Sequence, residues 1–512
     1  MINLFIVELK GCEGMERVEN VKENKMGTMK IPKLLFSVSV PIIISMIVQA
    51  LYNVVDSIFV ARFDPINGTG ALSHAFPIQN LILALSLGLA VGVNALLSRA
   101  LGSKSFERAN RIAGQGIFLM LCGGIIFLLV GIFAVKPYVS TQEEAGTLIF
   151  DYSVQYISTV CIASVGVFVQ VIMERFLQAT GKSILSMATQ LSGAVVNLIL
   201  DPIMIFGLFG VPAMGALGAA LATVIGQWIA AIIGIVLNLT CNKEIKLSLK
   251  NMIPDFPLIK EILAIGIPAV FMQAIGSVMT YSMNYILKGF STEAMNVFGV
   301  YFKLQSFVFM PVFGLNNGMI PIIAYNYGAK RKDRVFKTMR LALVCAVAYM
   351  LLGLTVFQLL PTYLLGMFNA ESVMLEIGIP ALRTISISFI FAGISVVSIS
   401  ACQALGNSVY SLIVSIGRQL VVLIPAAFLL SLTGVVSNVW WAFPIAEVVS
   451  LVLSVSFVIA VMKKAFSEKP STIISQIIGV DCRCKNATLA QEGEASATVE
   501  PHEALDGEGE AE

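Results

Sequence analysis

Long apolar stretches recur along this chain, each close to 20 residues or longer, and a breaker or a charged loop separates nearly every pair. A hydrocarbon core about 30 Å thick is crossed by roughly 20 apolar residues in helical form, so each stretch predicts a transmembrane helix. Twelve are found. Six lie in the first half, near 34–61, 72–98, 113–135, 148–173, 184–207 and 215–238. Six more lie near 258–287, 295–325, 341–360, 377–401, 409–432 and 438–462. The pattern predicts an all-α integral membrane protein.

Composition agrees. Hydrophobic residues make up 57% of the 512 positions and charged residues only 12%, where soluble chains carry roughly a quarter charged. The cations are sorted by side. Six precede the first span, from Lys10 to Lys33, and others cluster at Arg99, Lys104, Arg108 and Arg111, then at Arg175 and Lys182. Further groups lie at Lys243, Lys246, Lys250 and Lys260, from Lys330 to Arg340, and at Lys463, Lys464 and Lys469. The opposite loops hold only Arg62, Lys136 and Lys288. By the positive-inside rule both termini are expected in the cytoplasm, with the body in the cell membrane. The net charge of +2 gives no footprint for a nucleic acid.

Other chemistries are poorly provided for. The cysteines are scattered and imply no disulfide framework. Cys482 and Cys484 lack the second ligand pair of a zinc site, and His74 and His502 are far apart. Without a phosphate-binding loop, ATP hydrolysis is not expected. No His or Cys constellation suggests an enzyme.

The chain repeats. Pro41 to Phe63 lies over Pro268 to Phe290, displaced by 227. Gly88, Leu89 and Gly102 lie over Gly314, Leu315 and Gly328, displaced by 226, and the Gln178 to Ser183 segment lies over Gln403 to Ser408, displaced by 225. Six spans per repeat is an even number, so both halves enter the membrane in the same sense. This predicts two six-helix bundles related by a pseudo-two-fold axis along the membrane normal. The expected parts are a cytoplasmic lead-in (1–33), a first lobe (34–239), a linker broken by Pro254 and Pro257 (240–257), a second lobe (258–464) and an acidic tail of disordered composition (465–512).

Two carboxylates fall inside spans of the first repeat. An acid at the centre of a span costs about 2.5–3.5 kcal/mol even on insertion scales, so it is read as functional. Gln49, Asn53 and Asp56 share one helical face of the first span; Gln190, Asn197 and Asp201 share one face of the fifth. Thr223 and Gln227 are one turn apart in the sixth. Pro41 and Pro202 are expected to break the two acid-bearing helices, and Pro202 to free the carbonyl of Leu198. Carboxylates, amides and a hydroxyl suit either Na⁺ or a proton. In the second repeat Met283 and Ala426 take the places of the acids. That half keeps Gln273, Ser277, Thr280 and Asn284, and the embedded charges Lys303, Arg383, Arg418 and Glu447. Lys303 either snorkels outward or lines a cavity; Arg418 and Glu447 are expected to pair. The Gly88/Gly92 and Gly314/Gly318 spacings read as helix packing.

The stretch Val54-Val-Asp56-Ser-Ile-Phe-Val60 with Pro41 upstream resembles the first span of the multidrug and toxic compound extrusion (MATE) family. So do Gln178-Ala-Thr-Gly181, Asn197-Leu-Ile-Leu-Asp201-Pro202 and Gly218-Ala-Ala-Leu-Ala-Thr223. In the second half the matching segments are Gly314-Leu-Asn316-Asn317-Gly318, Pro321, Tyr325-Asn-Tyr-Gly-Ala329 and Phe443-Pro-Ile-Ala-Glu447. The resemblance covers about residues 30–465. It implies a V-shaped two-lobe antiporter, working as a monomer, that exports organic cations against Na⁺ or H⁺ and needs no other cofactor. It implies a coupling-ion site of Asp56, Asn197, Asp201 and Thr223, and helix movement at Pro41 and Pro202. The substrate cavity would then take in Gln49, Asn53, Gln190, Gln227, Gln273, Asn284 and Lys303. Some branches add an acid in the seventh span; Gln273 and Gly276 stand there instead, which places the chain nearer the DinF-like branch. The alternative is a flippase for a lipid-linked oligosaccharide from the same superfamily.

Overall fold

The computed structural model describes residues 24–368 and 372–467, with residues 473, 476 and 477 beyond them. Residues 1–23 and nearly all of the acidic tail lie outside the described residues, and Cys482, Cys484 and His502 lie outside with them.

A short helix, α1 (Lys25–Thr28), precedes α2 (Ile31–Phe63), α3 (Asn67–Gly102) and α4 (Phe106–Phe133). Then come α5 (Leu148–Ile162), α6 (Val165–Ala179), α7 (Ser183–Phe206) and α8 (Ala216–Cys241), which complete the first lobe. The second lobe has α9 (Phe256–Lys288), α10 (Thr292–Gly328), α11 (Lys332–Leu359), α12 (Ser372–Ser386) and α13 (Phe389–Ala404). It ends with α14 (Ser408–Ile416), which continues through a π-helical stretch at Gly417–Leu423 into α15 (Ile424–Ser431), and with α16 (Ala442–Phe466). Among the described residues ten helices are long and apolar enough to cross a membrane singly or as one continued span.

The remaining two spans are bent. The expected fourth span is α5 and α6, turned by 45°, and the tenth is α12 and α13, turned by 47°. A serine stands at each break. Ser164 donates its hydroxyl to the carbonyl of Gly124 (3.3 Å), and Ser388 donates back to Ile385 (2.6 Å). The Ser388 bond is a local one that competes with the helical ladder, whereas the Ser164 bond ties its break to α4. Counting each pair as one gives twelve spans in two bundles of six.

The prolines behave otherwise than expected. Pro41 sits within α2 and Pro202 within α7, and both helices run on through them. The Pro41 carbonyl accepts the Ser45 hydroxyl at 3.0 Å. The carbonyl that Pro41 leaves without a helical donor is that of Ser37, four residues earlier.

Both lobes meet along a seam that shows the two-fold relation residue by residue. A Cβ on Gly88 of α3 would lie 2.5 Å from Val270 Cγ2 of α9; one on Gly314 of α10 would lie 2.6 Å from Ile43 Cγ1 of α2. Gly92 meets Ile262 and Gly266, while Gly318 meets Ser39. Gly102 abuts the Tyr325 carbonyl and Gly328 the Arg99 carbonyl. Any side chain at these positions would drive the helices apart, which is why small residues recur there. All six lie in the C-terminal halves of α3 and α10, so the lobes seal at the end rich in Lys and Arg.

Candidate functional site

The first lobe brings its polar residues together through a close helix crossing. Gly193 of α7 and Gly226 of α8 face each other: a Cβ on Gly226 would stand 2.7 Å from the Gly193 carbonyl, and the reverse is 2.8 Å. This approach lets Asn197 Nδ2 reach Thr223 Oγ1 at 3.4 Å, while Asp201 Oδ1 stands one turn farther along α7, at 3.2 Å from the same nitrogen. Asp56 comes from α2, which packs along α7. Asp56 is 8% exposed, Asn197 3% and Asp201 0%. The two carboxylates stand within electrostatic reach of each other. Nearer the Lys- and Arg-rich end, Gln190 Nε2 donates to Gln49 Oε1 at 2.7 Å, joining the same two helices.

Three oxygens in this cluster accept no hydrogen bond among the described residues: Asp56 Oδ1, Asn197 Oδ1 and Asp201 Oδ2. Buried acceptors are nearly always satisfied. A set of carboxylate and amide oxygens fits a hard cation or a proton and offers no soft ligand. Among the described residues no group of three His, Cys, Asp or Glu side chains could hold a metal ion.

Asp56, Asn197, Asp201 and Thr223 thus lie in one lobe, with Gln49 and Gln190 beside them. Gln227 is partly buried on α8, and the side chain of Asn53 lies outside the described residues. The second-lobe residues do not join this cluster. Gln273 is exposed and Asn284 partly buried on α9. Lys303 is exposed, its Nζ 5.9 Å from the centre of the Phe368 ring. Arg418 Nη1 donates to Glu447 Oε1 at 2.8 Å, as the sequence led us to expect. Arg418 stands in the π-helical stretch, a distortion frequent at functional sites, and Glu447 comes from α16.

Four residues of the first lobe escaped the sequence reading. Glu174 of α6 is 8% exposed and accepts from Gln170 Nε2 at 3.0 Å. Next to it, Arg175 is equally buried and bonds Gln178 Oε1 at 2.6 Å, so it is no loop cation. Tyr52 bonds Gln49 and stands between the charges of Asp56 and Glu174. Tyr156, 2% exposed, accepts from Gln79 Nε2 at 3.1 Å and stands near both aspartates. Glu174 was detectable as a Gln-x-x-x-Glu face, but the adjacent Arg175 read as the end of a span.

A helical membrane protein of two six-span repeats, with buried acids in one lobe, is the class these features define. Comparison with known proteins narrows it. The MatE family model matches residues 41–203 and 268–429, one block in each repeat. The chain belongs to the MatE family. It is 26% identical over 441 residues to the multidrug export protein MepA of Staphylococcus haemolyticus, covering 86% of this chain and 96% of that one. With MepA of Staphylococcus saprophyticus it shares 27% over 419 residues, 80% of this chain and 90% of that one. Among solved structures, a ligand complex of the MATE multidrug transporter DinF-BH is 31% identical, with a TM-score of 0.79 over 88% of this chain and 100% of that one. An outward-facing MATE family transporter shares the fold at a TM-score of 0.81 and 21% identity, with the same coverage of both chains.

Proposed function

We propose that this chain is a secondary multidrug efflux antiporter that moves organic cations out of the cell in exchange for Na⁺ or H⁺. The observation that carries the reading is the trio of buried, unbonded oxygens on Asp56, Asn197 and Asp201. Relatives named multidrug export proteins, and a structural neighbour named a multidrug transporter, support the substrate class. In this reading Asp56 and Asp201 hold the coupling ion, Asn197 fixes the Asp201 carboxylate, and Thr223 anchors Asn197 from α8. Gln49, Gln190 and Gln227 line the adjoining cavity, and Pro41 and Pro202 let α2 and α7 repack when the ion arrives. The termini lie in the cytoplasm and the monomer is the working unit.

The ion and the organic cation compete for the same negative charge. Either can shift the conformational equilibrium only through its different affinity for the two states. Of the cations a flippase for a pyrophosphate-linked lipid would need, Arg418 is engaged by Glu447, whereas Lys303 and Arg383 are exposed. The test is ethidium efflux from everted vesicles under imposed Na⁺ and H⁺ gradients. Efflux driven by one of these gradients and collapsed by its ionophore is expected. Efflux indifferent to both would remove the antiport reading.

A further inference from the structure

We propose that residues 24–29 form a latch that clamps the two lobes together at their basic end and leaves the second lobe in each transport cycle. The segment belongs covalently to the first lobe, because it runs into α2. Its first-lobe side is fixed by Asn24. Asn24 Oδ1 accepts the Met26 amide at 2.8 Å and so caps α1, while Nδ2 donates to Glu244 Oε2 at 2.6 Å and to the Thr180 carbonyl at 3.2 Å. The Met26 side chain is wholly buried, close to the loop glycine Gly181.

The other side of the segment faces the second lobe and consists of main-chain carbonyls. Met26 O accepts from Asn326 Nδ2 at 3.1 Å and from Arg334 Nη2 at 3.0 Å. Gly27 O accepts from Arg331 Nη1 at 2.6 Å, and Met29 O from Arg334 Nη2 at 2.8 Å. Arg334 Nε also donates to Asn326 Oδ1 at 2.8 Å, which orients that amide toward Met26. These are the carbonyls a short helix leaves without intrahelical partners, and two of the three donor side chains are guanidinium groups, whose bonds are the stronger kind.

The two joints differ in what separation would expose. Freeing the segment from the first lobe would open the part-buried Asn24–Glu244 bond and would strain the covalent run into α2. Parting from the second lobe exposes only carbonyls, an amide and two guanidinium groups, all of which water solvates. The first-lobe joint is tied by the chain itself and the second-lobe joint is not, so the second-lobe joint is the one that can open although its Asn326–Met26 bond is buried. It lies at the same end as the Gly102–Tyr325 and Gly328–Arg99 contacts, so it must break whenever that seam parts.

The proposal rests on the transport reading only for one of its two readouts. In a transport-competent variant without native cysteines, Gly27→Cys/Arg331→Cys is joined by a reducible bis-maleimide, with Asn24→Cys/Glu244→Cys as the control. Tethering the latch to the second lobe should cut dye efflux about tenfold, with recovery on reduction, and the control tether should leave most of it. Independently, Asn326→Ala/Arg334→Ala should raise labelling of a seam thiol, Ser39→Cys, by an impermeant maleimide severalfold. Efflux unaffected by the Gly27–Arg331 tether, or equal inhibition by both tethers, overturns the latch. So does unchanged labelling of Ser39→Cys. Absence of efflux from the untethered protein counts against the transport reading instead, and the labelling then decides the latch.

Discussion

Asn197 donates its side-chain amide to Asp201 Oδ1 at 3.2 Å, and the same geometry leaves Asn197 Oδ1 and Asp201 Oδ2 accepting nothing among the described residues. In the proposed reading, these free amide and carboxylate oxygens are ligands left open for the coupling ion. Asp56 brings a further such oxygen from α2. The account of function rests on this relationship.

The seam glycines should be interchangeable in effect. Gly88→Ala and Gly314→Ala each place a methyl group against the partner lobe, at 2.5 Å from Val270 Cγ2 and 2.6 Å from Ile43 Cγ1. Overpacking of this kind costs about 1–3 kcal/mol, and here it acts on the sealed state. Both variants should shift distance distributions between spin labels on α3 and α9 toward separation at the basic end. A response confined to one variant would mean that the two-fold seam is not mechanically symmetric.

The Arg418–Glu447 pair is only partly shielded, with side chains 24% and 12% exposed. Removing one partner strands the other, and about 1–3 kcal/mol of stability should be lost on Arg418→Met or Glu447→Gln. The swapped Arg418→Glu/Glu447→Arg protein should recover much of what the single charge reversals lose, read as thermal unfolding in detergent. If the double variant loses the sum of its singles, the two do not support each other.

Glu244 gives a dependence on pH outside the membrane spans. Burial pushes its carboxyl above the ordinary value of 4.5, against the pull of Asn24, Lys182 and Lys25. The folded chain then holds this proton more tightly than the unfolded chain. Stability from this group is full below 4.5 and is lost as pH rises through the higher folded value. Glu244→Gln keeps an acceptor for Asn24 and removes the titration. The melting temperature of the variant should gain on wild type as pH rises past 4.5, then hold a constant lead. A difference independent of pH would contradict the assignment.

Much of this was legible in the chain. Apolar runs gave twelve spans because each crosses hydrocarbon alone, and the near-constant displacement gave the two lobes. Asp56, Asn197 and Asp201 stood out because acids and amides are rare in such runs. What escaped has a physical cause in each case. The breaks at Ser164 and Ser388, where hydroxyls bond Gly124 and Ile385, leave no trace in hydropathy. Glu174 was masked by Arg175, since a charge pair next to a loop looks like a boundary. Pro41 and Pro202 look like breaks in sequence, but the packing around α2 and α7 keeps both helices whole. The contacts of Asn24 and Met26 join positions up to 308 residues apart, beyond any local pattern.

The most direct measurement is binding of a fluorescent organic cation to the detergent-solubilised protein, titrated with Na⁺ and separately with acid. The account predicts that one of these displaces the dye from wild type. Asp56→Asn and Asp201→Asn should each abolish that displacement and gradient-driven efflux while remaining folded, and Asn197→Ala should weaken both about tenfold or less, since it removes a neutral ligand. Dye affinity indifferent to both ions, or efflux above about half of wild type in both aspartate variants, would contradict a coupling site at Asp56 and Asp201.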